Sequence, residues 1–401
     1  MTPSSLRTVA GRAFRALPEE VRLRVAPGRL GYMRSDIPQP VRVPQGRVRL
    51  YVAPANSAGQ GWAWARAAET LDGVGAVDMQ IRRDRDFGYP TDYAVPQAVV
   101  AHSETWGRRQ FAAVRGGFTH VLAESHVPLF GRRFGDHVVS ERRALQRTGV
   151  LVAAVSHGSD VRLPSRHRVT EPWSPFRDDA DELTRALERS VLHRSEILDE
   201  LDGVEFVSTP DLLLDRPRAT WLPVVVDPAR WEAPPPLDSP RPVVFHAPSA
   251  AGLKGTDLVI SAVRDAENSG MIALRTPEHT PAAQMPALVR SADVVLDQFS
   301  LGIYGVAAVE AMAAGRVVVS HVSDFVRDTV RERTGWELPI VEATADTVVD
   351  VLADIGERPE HYRDLAANGP AFARDVHDGR RSAETLSSFL GVPAAPGKIS
   401  L

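Results

Sequence analysis

Short apolar runs alternate with longer segments of helical periodicity along this chain. The first run is Gly46-Arg-Val-Arg-Leu-Tyr-Val-Ala-Pro, and an Ala-rich helical pattern over 62–71 follows it. Further apolar runs predict strands at 98–101, 119–123, 150–155, 204–208 and 220–226, and the clearest helical pattern between them is 179–201. Strands that alternate with helices predict a parallel sheet with helices on both faces.

A Pro-rich stretch over 232–242 interrupts this alternation, because proline removes backbone donors and fits neither a helix interior nor a central strand. The alternation then restarts, with predicted strands at 243–246, 271–275, 293–297 and 316–320 and predicted helices at 256–266, 281–291, 306–314 and 345–354. The sequence therefore predicts an α/β protein of two Rossmann-like parallel-sheet domains that face each other across a cleft. Ligands of such sheets bind beyond the carboxyl ends of the strands.

The arginine-rich N-terminal segment stands apart from both domains. Apolar residues recur at helical spacing from Leu6 to Leu17, and Pro18-Glu-Glu is a typical start of a second helix. Two interpretations remain open: a helix that packs on the first domain with its arginines in water, and a basic helix that rests on an anionic membrane. The predicted divisions are an amphipathic arm (1–40), an N-terminal domain (41–231), a linker (232–242), a C-terminal domain (243–372), a helix that crosses back to the first domain (373–391) and a tail (392–401).

Composition excludes several classes of protein. Of the 401 residues, 43% are hydrophobic and 24% charged, as in ordinary soluble globular proteins. A formal charge of -4 gives no general attraction to nucleic acid. Cysteine is absent, which removes disulfides, thiolate nucleophiles and cysteine zinc sites. No apolar run approaches the roughly 18 residues of a membrane span and no compact apolar signal segment is present, so we expect a cytoplasmic protein.

Lysine is almost absent, and one of the two lysines lies where an anion would bind. Among 47 basic side chains only Lys254 and Lys398 are lysine, and Lys398 is in the tail. Lys254 follows an apolar run and a loop of small residues, and a helical pattern begins after it. Such a loop lets an anion approach the backbone N–H groups of a helix start, and an ammonium adds a compact positive charge. Two interpretations of Lys254 are open: it binds a phosphate, or it is a lysine that codon bias toward arginine left in place by chance.

A glycine-containing loop before a predicted helix carries the second candidate group. Gly302 and Gly305 precede an apolar helix with one carboxylate, Glu310. An ionised carboxylate buried there would need a partner, which is either a set of ligand hydroxyls or a donor of the protein. Asp297 and Gln298 end the strand before this loop, so we expect both to face the cleft.

The third candidate group follows the strand at 150–155. His157 can reach into the cleft, and Asp160 could orient it or bind a hydroxyl. The alternative is a turn in which Asp160 caps backbone groups. Weaker signals are His126, after another strand, and the glycines Gly59 and Gly61 of the first turn, which could admit a phosphate or a sugar.

Taken together, these segments resemble the GT-B glycosyltransferases, most closely the retaining, family 4 type. The shared pieces come in the family's order over about residues 46–390, and the second half is the more specific. They are the glycines of the first turn, His157-Gly-Ser-Asp, Ser208-Thr-Pro-Asp-Leu, Leu222-Pro-Val-Val-Val-Asp, Lys254-Gly255, Ala292-Asp-Val-Val-Leu-Asp and Tyr304-Gly-Val-Ala-Ala-Val-Glu-Ala-Met-Ala-Ala-Gly.

The resemblance implies a UDP- or GDP-sugar as donor, held mainly by the C-terminal domain. Lys254 would neutralise the diphosphate, amides around Gly305 would contact it, Glu310 would bind the ribose and His157 would touch the transferred sugar. In retaining members the leaving phosphate takes the proton of the acceptor, so neither a protein nucleophile nor an obligatory metal or cofactor is implied. The candidate catalytic residues are Lys254, His157 and Asp160, and the candidate donor-binding residues are Gly59, Gly61, Ser249, Lys254, Gly255, Asp297, Gln298, Gly302, Tyr304, Gly305 and Glu310.

The chain departs from the family's pattern at two positions. The family often has a Glu eight residues before Glu310, where this chain has Gly302, and an Arg five residues before Lys254, where this chain has Ser249. We therefore expect Asp297 or Gln298 to contact the sugar. Arg275 or an arginine of the first domain would supply the second cation.

The implied function is transfer of a sugar with retention of configuration, in glycan, glycolipid or natural-product biosynthesis. The implied partners are the nucleotide sugar and a carbohydrate, lipid-linked or small-molecule acceptor, without nucleic acid. Contact of residues 1–40 with the inner face of an anionic membrane stays open. Two alternatives remain: a nucleotide-sugar epimerase of the same architecture, and a non-catalytic, glycosyltransferase-like binding subunit.

Overall fold

The first half of the chain folds around a seven-stranded parallel sheet. In the computed structural model, which describes residues 17–247 and 251–394, its strands lie in the order β3-β2-β1-β4-β5-β6-β7. They are β1 (Val48–Ala53), β2 (Val74–Arg82), β3 (Tyr93–Pro96), β4 (His120–Glu124), β5 (Leu151–Ser156), β6 (Val204–Val207) and β7 (Thr220–Trp221). β4 is buried along its whole length, because a parallel sheet is covered on both faces.

Helices cover both faces of this sheet. They are α1 (Glu19–Val25), α2 (Gln60–Ala68), α3 (Gln97–His102), α4 (Glu104–Gly117), α5 (Val138–Gln146), α6 (Pro164–Thr170) and α7 (Glu182–Leu201). Side chains of a strand alternate between faces. Leu50 of β1 accordingly packs in the core that contains Trp64 of α2, whereas the adjacent Tyr51 packs in the core that contains Phe111 of α4.

The second half folds around a five-stranded parallel sheet in the order β12-β11-β10-β8-β9. Its strands are β8 (Val243–Phe245), β9 (Ala273–Arg275), β10 (Val294–Leu296), β11 (Val317–Ser320) and β12 (Val341–Glu342). Its helices are α8 (Ala251–Lys254), α9 (Thr256–Asn268), α10 (Met285–Arg290), α11 (Val306–Ala313), α12 (Asp324–Thr334), α13 (Val348–Glu357), α14 (Pro359–Val376) and α15 (Arg380–Leu390). α15 returns to the first sheet, where its Leu386 is buried in the core that contains Trp64.

Each sheet has a point where the strand order reverses, and these points position the candidate site. The reversal falls between β1 and β4 in the first sheet and between β8 and β10 in the second. Segments that follow β1 and β10 line the cleft between the sheets. This arrangement is the one in which α/β proteins bind ligands.

Two strand predictions from the sequence are wrong or incomplete. Residues 98–101 belong to helix α3 and not to a strand, because the strand of this unit is the preceding β3. A short apolar run does not by itself distinguish the two states. The predicted strand at 220–226 pairs in the sheet only at its first two residues, and β2 was missed.

Candidate functional site

A buried carboxylate organises the first turn of the N-terminal sheet. Glu124 ends β4, is fully buried and accepts hydrogen bonds from the backbone N–H groups of Ala55 (2.9 Å) and Asn56 (2.8 Å). A Cβ at Gly61 would lie 3.1 Å from a Glu124 oxygen, so glycine is what admits this carboxylate. Glu124, rather than a phosphate or sugar, therefore fills the space that Gly61 leaves. Glu124 was not predicted as a site residue from the sequence. The only available signal was its position at the end of a strand, directly before Ser125 and His126.

Two contacts hold the His157 side chain in place. Its Nε2 donates to Glu124 Oε1 at 3.1 Å, and its ring stacks on Trp64 with centroids 5.4 Å apart. Burial alone would lower the pKa of His157, but the hydrogen bond and charge of Glu124 raise it above the ordinary value. Asp160 does not bind the imidazole, since its carboxylate accepts from the backbone N–H of His157 at 2.7 Å. Asp160 thus caps the turn, the second of the two alternatives from the sequence.

The loop between β2 and β3 lines two cavities. One cavity, of about 580 Å³, is lined by residues that include Ser57, Arg83, Arg85, His157, Asp160 and Arg194. The other, of about 600 Å³, is lined by residues that include Gly59, Trp62, Tyr89, Arg230, Val306 and Glu310. Tyr89 packs on Gly59, where a Cβ would lie 2.9 Å from its ring. Phe87 O accepts from Ala282 N at 2.8 Å, so the loop touches both domains.

Lys254 forms an ion pair at the reversal point of the second sheet. Its Nζ donates to Asp297 Oδ1 at 2.9 Å, and the side chains are 21% and 1% exposed, respectively. The other Asp297 oxygen accepts from Gly305 N at 3.3 Å. The carboxylate therefore holds the ammonium beside the first residues of α11. The positive end of that helix and the ammonium together favour an anion at this place.

The loop around these residues is fixed by its own hydrogen bonds. Gly255 has φ of +74°, and a Cβ there would lie 3.0 Å from Ser300. Gln298 does not face the cleft: it is 1% exposed, and its amide donates to Ile303 O (2.6 Å) and accepts from Leu301 N (2.7 Å). Its role is to shape the loop.

Tyr304 is likewise buried away from the cleft. It is 2% exposed, and its hydroxyl donates to His377 Nε2 at 3.3 Å. His377 Nδ1 in turn donates to Val224 O at 2.8 Å. Tyr304 therefore packs where α14 ends, against the segment that connects the two sheets. Ser249 lies outside the described residues.

Glu310 lies on α11 and lines the 600 Å³ cavity. Burial raises its pKa from 4.5 to about 8, although the charges of Arg230 and Lys254 act in the opposite direction. Within 17–247 and 251–394 it has no hydrogen-bond or ion-pair partner. Arg230 lies on the turn Pro228–Arg230, which packs on α11 and α14, and the sequence did not single it out. Arg275, the other expected cation, instead donates to Ser291 Oγ at 2.8 Å.

Gly302 contacts a carboxylate of the other domain. Its φ is +65°, and a Cβ there would lie 2.7 Å from the carboxylate of Glu171, which follows α6. Glu171 thus occupies the space of a side chain at position 302. Neither Asp297 nor Gln298, the two residues expected to replace the missing Glu, occupies this space. Glu171 was missed because its partner is 131 positions away in the chain.

Comparison with solved structures defines the class of fold. The chain is similar to HepE from Anabaena, in complex with UDP and glucose, with a TM-score of 0.54 and 10% identity over 85% of this chain and 98% of that one. It is also similar to sucrose-phosphate synthase from Thermosynechococcus elongatus, with a TM-score of 0.52 and 12% identity over 84% and 97% of the two chains. The protein therefore has the GT-B fold. Neither a protein-family model nor a curated protein matches the sequence.

Proposed function

We propose that this protein is a glycosyltransferase that moves a sugar from a nucleoside-diphosphate sugar to an acceptor hydroxyl with retention of configuration. The observation that carries the proposal is Glu310, a carboxylate without a partner in the described part of the chain, near Lys254 and the start of α11. Vicinal ribose hydroxyls are suitable donors for such a carboxylate. UDP is the donor nucleotide we expect, since HepE was solved with UDP and with UDP-glucose.

The C-terminal side of the cleft would carry the leaving group. Lys254, held by Asp297, and the N–H groups at the start of α11 would stabilise the charge that develops on the diphosphate. Arg230, on a turn that packs against α11 and α14, would supply the second cation. The acceptor oxygen forms a bond to the anomeric carbon while the bond from that carbon to the diphosphate oxygen breaks. The acceptor's proton passes to that phosphate oxygen.

The N-terminal side would hold the transferred sugar and the acceptor. His157 Nε2 is committed to Glu124, which leaves Nδ1 to contact the sugar. The 580 Å³ cavity beside His157 is lined by arginine, serine and aspartate side chains, a mixture that suits the many hydroxyls of a carbohydrate or lipid-linked carbohydrate acceptor.

A nucleotide-sugar panel tests the proposal. The full-length protein is incubated with UDP- and GDP-sugars, with and without carbohydrate and lipid-extract acceptors, and both nucleotide release and the sugar products are measured. We expect release that depends on an acceptor. Isomerised free sugar without an acceptor would instead identify an epimerase, and binding without turnover under every condition would identify a binding subunit.

We also propose that the N-terminal segment touches the inner face of an anionic membrane. α1 exposes 68% of Val25, and Met33 nearby is 60% exposed. The segment also borders a cavity of about 600 Å³ lined by residues that include Arg29, Arg132 and Arg133. Arg22 at the same cavity is buried and paired with Glu104. Exposed apolar side chains beside arginines suit anionic headgroups. Among the described residues no helix could cross a bilayer.

Co-sedimentation with vesicles tests the membrane contact. The protein should sediment with vesicles that contain phosphatidylglycerol, because basic segments are attracted to anionic lipid surfaces, and not with pure phosphatidylcholine. Val25→Asp with Met33→Asp should abolish sedimentation. Equal sedimentation of this variant and the wild type would contradict the proposal.

A further inference from the structure

An ion pair joins the two domains beside the loop that leads to α11. Glu171 Oε2, after α6, accepts from His321 Nε2 at 3.2 Å, and His321 Nδ1 donates to Glu342 Oε1 at 2.6 Å. The side chains of Glu171 and His321 are 10% and 13% exposed. His321 follows β11 of the second sheet, so Glu171 is the partner that comes from the other domain.

The same carboxylate rests on Gly302. With φ of +65°, Gly302 presents no side chain, and all three carboxylate atoms of Glu171 lie 2.7–2.8 Å from where a Cβ would be. Gly302 O accepts from Ser323 N at 3.0 Å, which fixes this part of the backbone. Only glycine therefore allows the carboxylate to approach so closely.

A second contact from α6 reaches the neighbouring residue. His167 Nε2 donates to Leu301 O at 3.3 Å. Residues 301–305 thus receive two supports from the N-terminal domain just before the amide of Gly305, which bonds to the Asp297 that also holds Lys254. Movement of α6 away from this loop would remove both supports together.

We propose that Glu171 is a positioning residue of the donor loop, residues 301–305. Glu171 holds this loop in the conformation that binds the diphosphate only when the two domains are closed. This inference rests on the proposed function, because the diphosphate is the donor's. Donor binding would then favour the closed form, since a ligand shifts a conformational equilibrium toward the state that it binds more tightly. Glu171 would link the N-terminal domain to the donor site without touching the nucleotide.

The protonation of His321 is consistent with this contact. Burial alone would lower the pKa of His321, but its hydrogen bonds to Glu171 and Glu342 raise it to about 9. The imidazole is therefore charged at neutral pH. The ion pair contributes its full stability to the folded state below the unfolded pKa of 6.5, and this stability is lost as pH rises through about 9. The charged groups that face this cluster are Glu171 from α6, Glu342 from β12 and Arg327 from α12, which donates to Glu342 at 2.9 Å.

Spin labels can measure closure directly, because the chain contains no cysteine. Asp72→Cys and Glu332→Cys, both exposed and on different domains, report the interdomain distance by pulsed EPR with and without UDP. In this background Glu171→Gln removes the charge while keeping the shape. Glu188→Gln is the matched control, because Glu188 binds Ser165 of α6 from within the same domain. Gly302→Ala perturbs the contact from the other side.

We expect Glu171→Gln and Gly302→Ala to broaden the distance distribution without UDP and to raise the donor KM about tenfold or more, with a smaller fall in kcat. Their double variant should lose little beyond either single one. Glu188→Gln should match the wild type in distance. An unchanged distance distribution in Glu171→Gln would overturn the inference. Because that distance needs no turnover, it tests Glu171 even if the panel of nucleotide sugars shows no transfer.

Discussion

The two walls of the cleft differ in how their carboxylates are satisfied. On the N-terminal wall, Glu124 accepts three hydrogen bonds, from Ala55, Asn56 and His157. On the C-terminal wall, Glu310 has no partner among residues 17–247 and 251–394, and burial raises its pKa to about 8. A satisfied carboxylate stabilises its surroundings, whereas an unsatisfied one is destabilising until a ligand supplies donors. We infer that the first wall is preorganised and that the second is completed by the donor.

Lys254→Ala should break the C-terminal wall and have the largest effect. Loss of the ammonium should reduce turnover about 10²–10³-fold, the usual effect of removing one group that stabilises transition-state charge. Steady-state kinetics at saturating acceptor measures it, and Arg275→Ala is the control because Arg275 is exposed and bound to Ser291. Wild-type turnover in Lys254→Ala would refute the role of this residue.

Glu124→Gln should loosen the N-terminal wall. An amide retains one acceptor oxygen for three donors, so His157 loses its fixed orientation and we expect turnover to fall about 10–10²-fold. Because Glu124 raises the pKa of His157, the acid limb of any pH–rate profile that His157 controls should move to lower pH. Glu188→Gln serves as the control. An unshifted profile with full turnover would show that Glu124 is structural only.

Glu310→Gln should have opposite effects on donor binding and on stability. We expect the donor KM to rise about tenfold, because the neutral amide is a weaker acceptor for ribose hydroxyls. The wild-type protein loses stability as pH rises from the unfolded pKa of 4.5 to about 8, since the partly buried carboxyl must ionise. Glu310→Gln has no carboxyl to ionise. The difference between its Tm and that of the wild type should therefore grow by about 2–4 °C as pH rises from 4.5 to about 8. A constant Tm difference across pH would contradict the unsatisfied state of Glu310.

Arg230→Ala should have the smallest effect. Arg230 is exposed and lines the donor cavity, so we expect the KM for donor to rise only about threefold. The dependence of KM on salt should weaken in the variant, because a screened charge is lost. Arg218→Ala, on an exposed arginine paired with Asp202, controls for net charge. An unchanged salt dependence would exclude Arg230 as the second cation.

The sequence predicted the fold well because most strands of a parallel sheet are predominantly apolar and recur between helices. The runs that became β1, β5, β10 and β11 are of this kind. Prediction failed at 98–101, where a four-residue apolar run fits both a strand and a helix. The expectation that Gln298 faces the cleft also failed, because a position after a strand gives no information on where the side chain points.

By itself, the sequence determined two α/β units, a lone lysine after one strand and a lone carboxylate on an apolar helix. These features follow from local spacing and composition, which a single chain displays directly. Only the tertiary structure decided that Glu124 fills the space beside Gly61 and that Glu171 fills the space beside Gly302. Both are contacts between residues far apart in the chain. Such contacts depend on how the sheets and the two domains pack, and no local pattern encodes that packing.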